Sequence, residues 1–246
     1  MAMTPDRVAI VTGGTRGIGA AISRRLVARG SRVVAVFRGD TGAADAMQDE
    51  LATLRARQVD LSDAQACVSL VESVVAEYGR LDHLVNNAGL LLEARAVDTG
   101  IDDWDRTVAV NLSAAFHLAR TAIPVMRAAG YGRIVNVSSV TAVMGSPSEA
   151  AYGAAKAGLH GLTRSLARET ARAGITVNTV VPGVFDTDMT ASMPETTQEA
   201  IRRMIPVGRR GHPDELAAAV DFLLDDAAAY CTGSVLTVDG GLGMGG

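Results

Sequence analysis

Three side chains in the second half of the chain have the types and spacing for acid–base work on an oxygen atom. Tyr152 and Lys156 stand four residues apart, which puts them on one face of a helix. A tyrosine alone is a poor proton-transfer group near neutrality, with a reference pKa of about 10. A neighbouring ammonium favours the phenolate and is expected to pull that value toward the working range. Ser139 closes an apolar, β-branched run, where its hydroxyl can hold a substrate oxygen beside Tyr152. Such a set fits interconversion of a carbonyl and an alcohol, with hydride delivered by a cofactor. The plain alternative is a packed ring beside a solvated amine, with Ser138 and Ser139 forming a turn or cap. Lys156 weighs against it, because it is the only lysine in a chain that otherwise uses arginine. A compact, pKa-responsive ammonium is what the chemistry requires at that position.

A second constellation lies near the start. Thr12-Gly13-Gly14-Thr15-Arg16-Gly17-Ile18-Gly19 follows a first strand and opens a first helix. A glycine turn there lets the backbone approach a pyrophosphate, whose charge the helix N-terminus favours. The end of the second strand then reads the cofactor: an acid accepts from the ribose hydroxyls of NAD, whereas a cation favours the 2′-phosphate of NADP. That strand ends on Phe37, with Arg38 next and Asp40 in a Gly-Asp turn that needs no ligand to explain it. Arg16 supplies a second cation. The expected cofactor is NADP(H); the alternative is that both arginines are simply solvated.

These motifs, with Asp60-Leu61, Asn86-Asn87-Ala88-Gly89, Asn111 and Pro182-Gly183, resemble the short-chain dehydrogenase/reductase family in order and spacing. The resemblance implies that Asp60 meets the adenine amino group, that Asn87, Ala88 and Gly89 line the cofactor pocket, and that Thr187 holds the nicotinamide carboxamide. It also implies that Lys156 grips the nicotinamide ribose and that Asn111 anchors a water linking Lys156 to solvent. Gly13, Thr15, Gly17, Ile18, Gly19, Leu61, Pro182 and Gly183 complete the implied cofactor contacts. Within the family, VPGVFDTDM and the ending TGSVLTVDGG are most similar to the 3-oxoacyl-acyl-carrier-protein reductases of fatty-acid synthesis. Those reductases are expected to dock an acidic carrier protein on arginines near the site entrance. Here Gly130 and Ala173 occupy those places, with Arg127, Arg133 and Arg172 nearby. A carrier-bound substrate, a polyketide ketone and a free small ketone or alcohol therefore stay open. So does a non-catalytic NADP-binding sensor, although such a protein has no use for both Tyr152 and Lys156. Leu90 to Leu92, Met144, Phe185, Met189 and Met193 are the apolar residues expected to suit an acyl chain.

Positioning these groups calls for an α/β domain. Short buried runs at Val8–Thr12, Arg32–Phe37, Arg57–Asp60, Leu84–Asn86, Arg133–Ser138, Thr176–Val181 and Val235–Val238 alternate with helical stretches near 17–29, 42–54, 63–78, 102–128, 150–173 and 213–226. The pattern predicts a single-domain, Rossmann-type, doubly wound sheet of seven parallel strands flanked by helices, spanning 1–246. Segments 140–149 and 182–212 break the rhythm after strands, where open α/β sheets place ligands; the second is long enough for a lid. Asp186 and Asp188 are expected to cap a lid helix.

Composition narrows the class. Of 246 residues 48% are hydrophobic but only 4% aromatic, so packing rests on small aliphatic side chains. A net charge of −4 with interspersed signs argues against nucleic acid. Cys67 and Cys231 fit no metal or redox spacing, and the four histidines suggest no metal site. The N-terminal residues do not resemble a signal peptide, and no apolar run reaches membrane-spanning length; the expected location is the cytoplasm. Helices 102–128 and 150–173 are apolar over much of their circumference, with Trp104 and Phe116 read as core or interface. With the family resemblance this leads to an expected homotetramer.

Overall fold

Residues 6–187, 190 and 194–244 are described by a computed structural model. Val8–Thr12 is buried at all five positions, as in a strand covered on both faces. It forms β1, followed by β2 (Arg32–Phe37), β3 (Leu54–Gln58), β4 (His83–Asn86), β5 (Gly132–Val137), β6 (Ile175–Pro182) and β7 (Val235–Val238). They make one parallel sheet in the order β3-β2-β1-β4-β5-β6-β7. The chain winds outward from β1 to β3, then restarts beside β1 at β4, with Ala9 opposite His83. The carboxyl ends of β1 and β4 thus flank the switch point where such sheets bind ligands.

The helices are α1 (Gly17–Ala28), α2 (Thr41–Glu50), α3 (Ala64–Tyr78), α4 (Ile101–Val108), α5 (Ala114–Ala129), α6 (Thr141–Met144), α7 (Ala150–Thr170), α8 (Glu195–Met204) and α9 (Pro213–Leu224). Alternation along each strand sorts the core into two layers. Val8, Ile10, Val34, Leu84 and Ile134 face α3, α5 and α7 through Val71, Leu118 and Leu166. Ala9, Val11, Val33, Val85 and Val135 face α1, α2 and α9 through Ile22, Met47 and Leu216.

Several boundaries move. The third strand is Leu54–Gln58 rather than Arg57–Asp60, and α2 stops at Glu50. Leu54, fully buried opposite Val33, sets the register; the rest of this edge strand is polar enough to hide it. The 102–128 stretch is α4 and α5 joined by one π-helical turn, Ala109–Ser113. This continuous Ile101–Ala129 helix has 29 residues, and an 18-residue window within it with a mean hydropathy of 1.2 makes it long and apolar enough to cross a membrane by length and composition, which amends the expectation above. In the fold its Leu118, Ala122 and Met126 are buried against the sheet. Trp104 and Phe116 are not core: each is 42% exposed.

Candidate active site

The glycine turn is shaped by contacts that a side chain would destroy. A Cβ on Gly19 would lie 1.9 Å from the Gly13 carbonyl oxygen, and one on Gly13 would lie 3.0 Å from Asn87 Nδ2. Gly13 also has φ +63°, a region open chiefly to glycine. Asn87 Nδ2 donates to the Thr12 and Gly13 carbonyls at 2.9 and 3.3 Å, and the Asn87 and Ala88 amides donate to Thr12 Oγ1. The end of β4 therefore braces the loop that ends β1. The first turn of α1 has neither a side-chain cap nor an acidic residue, so its free amides and positive dipole end suit a phosphate.

Around this cradle the expected residues divide. Thr187 lies over the loop, its Cγ2 3.4 Å from where a Gly17 Cβ would be. Thr190, which the sequence reading missed, fixes that turn: its buried hydroxyl donates to Phe185 O and accepts from the Thr187 amide at 2.9 Å. Asp60 Oδ1 accepts the Ser62 amide and hydroxyl at 2.9 and 2.7 Å, and these bonds hold its pKa below the usual range. Arg38 is exposed just beyond β2. Arg16 is exposed too, but Asp40 draws it into an ion pair at 3.1 Å. Asp40 itself caps α2 by accepting from the Ala43 amide. Thr15 and Ile18 are largely buried in the loop and the first turn of α1. Leu61 belongs to the core, which leaves its backbone as the part able to meet a ligand. Pro182 O accepts the Val140 amide, and Gly183 is needed for its approach to Asp239, whose Cα a Cβ would meet at 2.7 Å.

Ser139, Tyr152 and Lys156 do converge. β5 ends just before Ser139, and α7 presents the other two one turn apart. Tyr152 lies beside Ser139; burial first holds it above its ordinary pKa, the Ser139 hydroxyl partly offsets this, and the Glu149 charge adds. The expected downward pull by Lys156 is not what this site shows. The Lys156 ammonium lies 5.7 Å from the tyrosine ring centroid and donates to Val137 O at 2.8 Å, so burial outweighs it. Lys156 is itself 2% exposed, and burial lowers its pKa to about 8.

Asn111 occupies the π-helical turn. Its Nδ2 donates to Leu90 O and Thr107 O, both at 2.8 Å, while its Oδ1 accepts the Leu90 amide at 3.1 Å. The side chain clamps the segment after β4 with both ends, a role in addition to the water anchor expected of it. Its Oδ1 and Lys156 Nζ both face Gly89, at 3.2 and 3.6 Å from where a Cβ would be, so a side chain there would press on Asn111 and touch Lys156.

The remaining expected residues have varied surroundings. Phe185 is 4% exposed and packed in the α1–α9 layer, a core position rather than a surface one. Asp186 pairs with Arg210 at 2.6 Å, while the capping expected of it concerns residues outside the described ones. Met144 and Leu92 are exposed. Asp188, Met189 and Met193 lie outside the described residues. The histidines serve the fold where their partners are visible: His83 meets Tyr131, His160 meets Ser138, and His212 caps α9.

Comparison with known proteins agrees with this geometry. Residues 13–243 match a family model described as Enoyl-(Acyl carrier protein) reductase. The 3-oxoacyl-(acyl-carrier-protein) reductases of Salmonella typhimurium and Escherichia coli K12 are 40% and 41% identical to the chain, covering 97% of it and 98% of each relative. An acetoacetyl-CoA reductase of Shinella zoogloeoides is 43% identical over 96% of the chain and 98% of its own length. A glycine cradle at the switch point, a serine and tyrosine in contact, a lysine one turn on, and full-length similarity of this degree make the chain a member of the short-chain dehydrogenase/reductase family of oxidoreductases.

Proposed function

We propose that the chain reduces a 3-oxoacyl thioester to the 3-hydroxyacyl thioester with NADPH. The observation that carries this reading is the placement of Ser139, Tyr152 and Lys156 at the carboxyl edge of the sheet, after β5 and on α7, two strands along from the glycine cradle that follows β1. The cradle fits a nicotinamide dinucleotide because its backbone is bare and its helix end uncapped; when bound, the dinucleotide supplies hydride. Ser139 donates a hydrogen bond that orients the substrate carbonyl oxygen. Tyr152 gives that oxygen its proton as the carbonyl carbon gains hydride, and the tyrosine's raised pKa keeps the proton available at neutral pH. Lys156 supplies positive charge on the face where phenolate develops, and Asn111 fixes the adjoining Leu90 segment.

Arg38 favours NADPH over NADH because its guanidinium stands exposed beyond β2, whereas Arg16 is shared with Asp40. Changing Arg38 to Asp turns attraction for a 2′-phosphate into repulsion, so the preference should vanish or reverse in cofactor titrations. Tighter binding of NADH to the unaltered chain would refute the assignment.

The docking surface favours a coenzyme A or small thioester over a carrier-bound one. Gly130 and Ala173 supply no charge there, and Arg133 is 3% exposed and bonded to Gly132 O and Gly174 O, which leaves Arg127 and Arg172 as the exposed arginines nearby. Comparing kcat/KM for acetoacetyl-CoA, the carrier-bound acetoacetyl thioester and an enoyl thioester tests this. Preference for the carrier form would overturn the substrate assignment, and preference for the enoyl form would overturn the reaction. The proposed tetramer is supported by exposed Ile101, Trp104 and Phe116 along one long helix, and a monomeric mass at micromolar concentration would count against it.

A further inference from the structure

Glu149 stands three residues ahead of Tyr152 at the start of α7, yet its side chain makes no capping bond. Its Oε2 instead accepts from Thr141 Oγ1 at 3.0 Å, and the Thr141 amide donates to Ser139 Oγ at 3.2 Å. One residue thus ties a carboxylate to the serine that touches Tyr152. The backbone delivering this carboxylate is held under strain: Ser148 has φ +63°. Its carbonyl accepts the Ala94 amide at 2.9 Å across the site mouth. A non-glycine residue in that conformation persists where its surroundings over-determine it.

Few charges bear on the tyrosine. Lys156, on the same helix, lies 5.7 Å from the ring centroid. From α4, the π-helical turn, α5, α6 and β6, all packed on α7, no charged side chain acts on Tyr152 among the described residues. Glu149 is the anion that does.

We propose that Glu149 is a positioning residue whose carboxylate, fixed through Thr141, extends into the alkaline range the pH over which Tyr152 keeps its transferable proton. The inference rests on reading Tyr152 as the proton donor. In reduction the tyrosine O–H bond breaks as a new O–H bond forms on the substrate alkoxide. A fixed negative charge nearby makes the phenolate costlier, so the proton stays until the alkoxide takes it. The same charge opposes proton loss before alcohol oxidation, so both directions share one dependence on pH.

The test is the pH profile of kcat, in reduction and in oxidation, for the unaltered chain, Glu149→Gln and Thr141→Val. Glutamine keeps an acceptor for Thr141 and removes only the charge. The alkaline limb of reduction and the acidic limb of oxidation should both move to lower pH by about half a unit, about threefold in rate on the limb. Thr141→Val releases the carboxylate and should move them less, in the same direction. An unmoved profile in Glu149→Gln overturns the proposal, as does a loss of rate equal at every pH, which marks a merely structural role. Normal turnover by Tyr152→Phe would separately overturn the donor reading on which the proposal stands.

Discussion

The two ends of the sheet both bury ionisable groups, and they treat them in opposite ways. At the amino ends of β1, β4 and β5, Asp82 is bonded by Arg80 at 2.7 Å, approached by Arg7 at 3.6 Å, and receives the Val8 amide at 2.8 Å. Arg7 and Arg133 both reach Asp226, and their guanidiniums lie 3.6 and 4.3 Å from the centre of the Tyr131 ring. Burial alone would raise the Asp82 pKa, but the Arg80 and Val8 bonds overcome it and the net shift is downward. At the carboxyl ends, Lys156 is as deeply buried, but among the described residues the neutral Val137 carbonyl is its only hydrogen-bond partner. Opposite charges at one end satisfy a structural cluster. The unpaired cation at the other is a cost that the fold tolerates where chemistry needs a responsive ammonium.

Breaking the functional end should give the largest effect on rate and none of the usual loss of stability. Lys156→Ala should lower kcat near neutral pH by at least about 100-fold, the low end for an acid–base group, with circular dichroism unchanged. Near-normal turnover would end the mechanism. Lys156→Met should stabilise the fold by about 3 kcal/mol at neutral pH, from a pKa falling from 10.5 to about 8. Below about pH 8 the lysine is charged in both states and the full cost is present. The folded protein then sheds its proton first, so stability rises from about pH 8 to 10.5. Denaturant midpoints across that window should show the rise in the parent and not in the variant.

The paired end should respond in the reverse sense. Asp82→Ala strands the Val8 amide, frees Arg80 and leaves Arg7 with Asp226 alone, and should cost about 3–5 kcal/mol in denaturant unfolding, with kcat per folded molecule retained. A loss under about 1 kcal/mol would mean that the cluster is solvated rather than structural. His83 sharpens the contrast. Burial pushes its pKa down to about 4, so the unfolded chain takes up a proton before the folded one as pH falls. Stability should drop by about 3 kcal/mol between pH 6.5 and 4, and His83→Gln should flatten that slope.

The functional end was the more legible of the two, because its chemistry is written in short spacings. Tyr152 to Lys156 is one helical turn, and the glycine turn is contiguous. What escaped depends on distant partners: the Thr190 support of Thr187, the Arg210 hold on Asp186, and the burial of Phe185 under α9. Strand boundaries were read to within a residue where apolar runs are continuous, and were lost at β3, where Leu54 alone marks the register. The direction of the Tyr152 shift was misread because spacing shows the neighbouring cation but not how dry the site is. The amino-end cluster left no local signature, its members being scattered from Arg7 to Asp226.

The π-helical turn at Ala109–Ser113 makes residue count, as distinct from residue identity, a requirement of the site. A widened turn holds one residue more than an α-helical turn. It aims Asn111 at Leu90 on one side while Leu118, Ala122 and Met126 still meet the sheet on the other. Removing any one residue of the five would restore the α-helical pitch and rotate one half of the helix by about 100° relative to the other. Either the clamp on Leu90 or the buried seam of α5 would then turn to solvent. Substitution scans keep the count and would pass over this constraint, whereas a single-residue deletion would expose it at once.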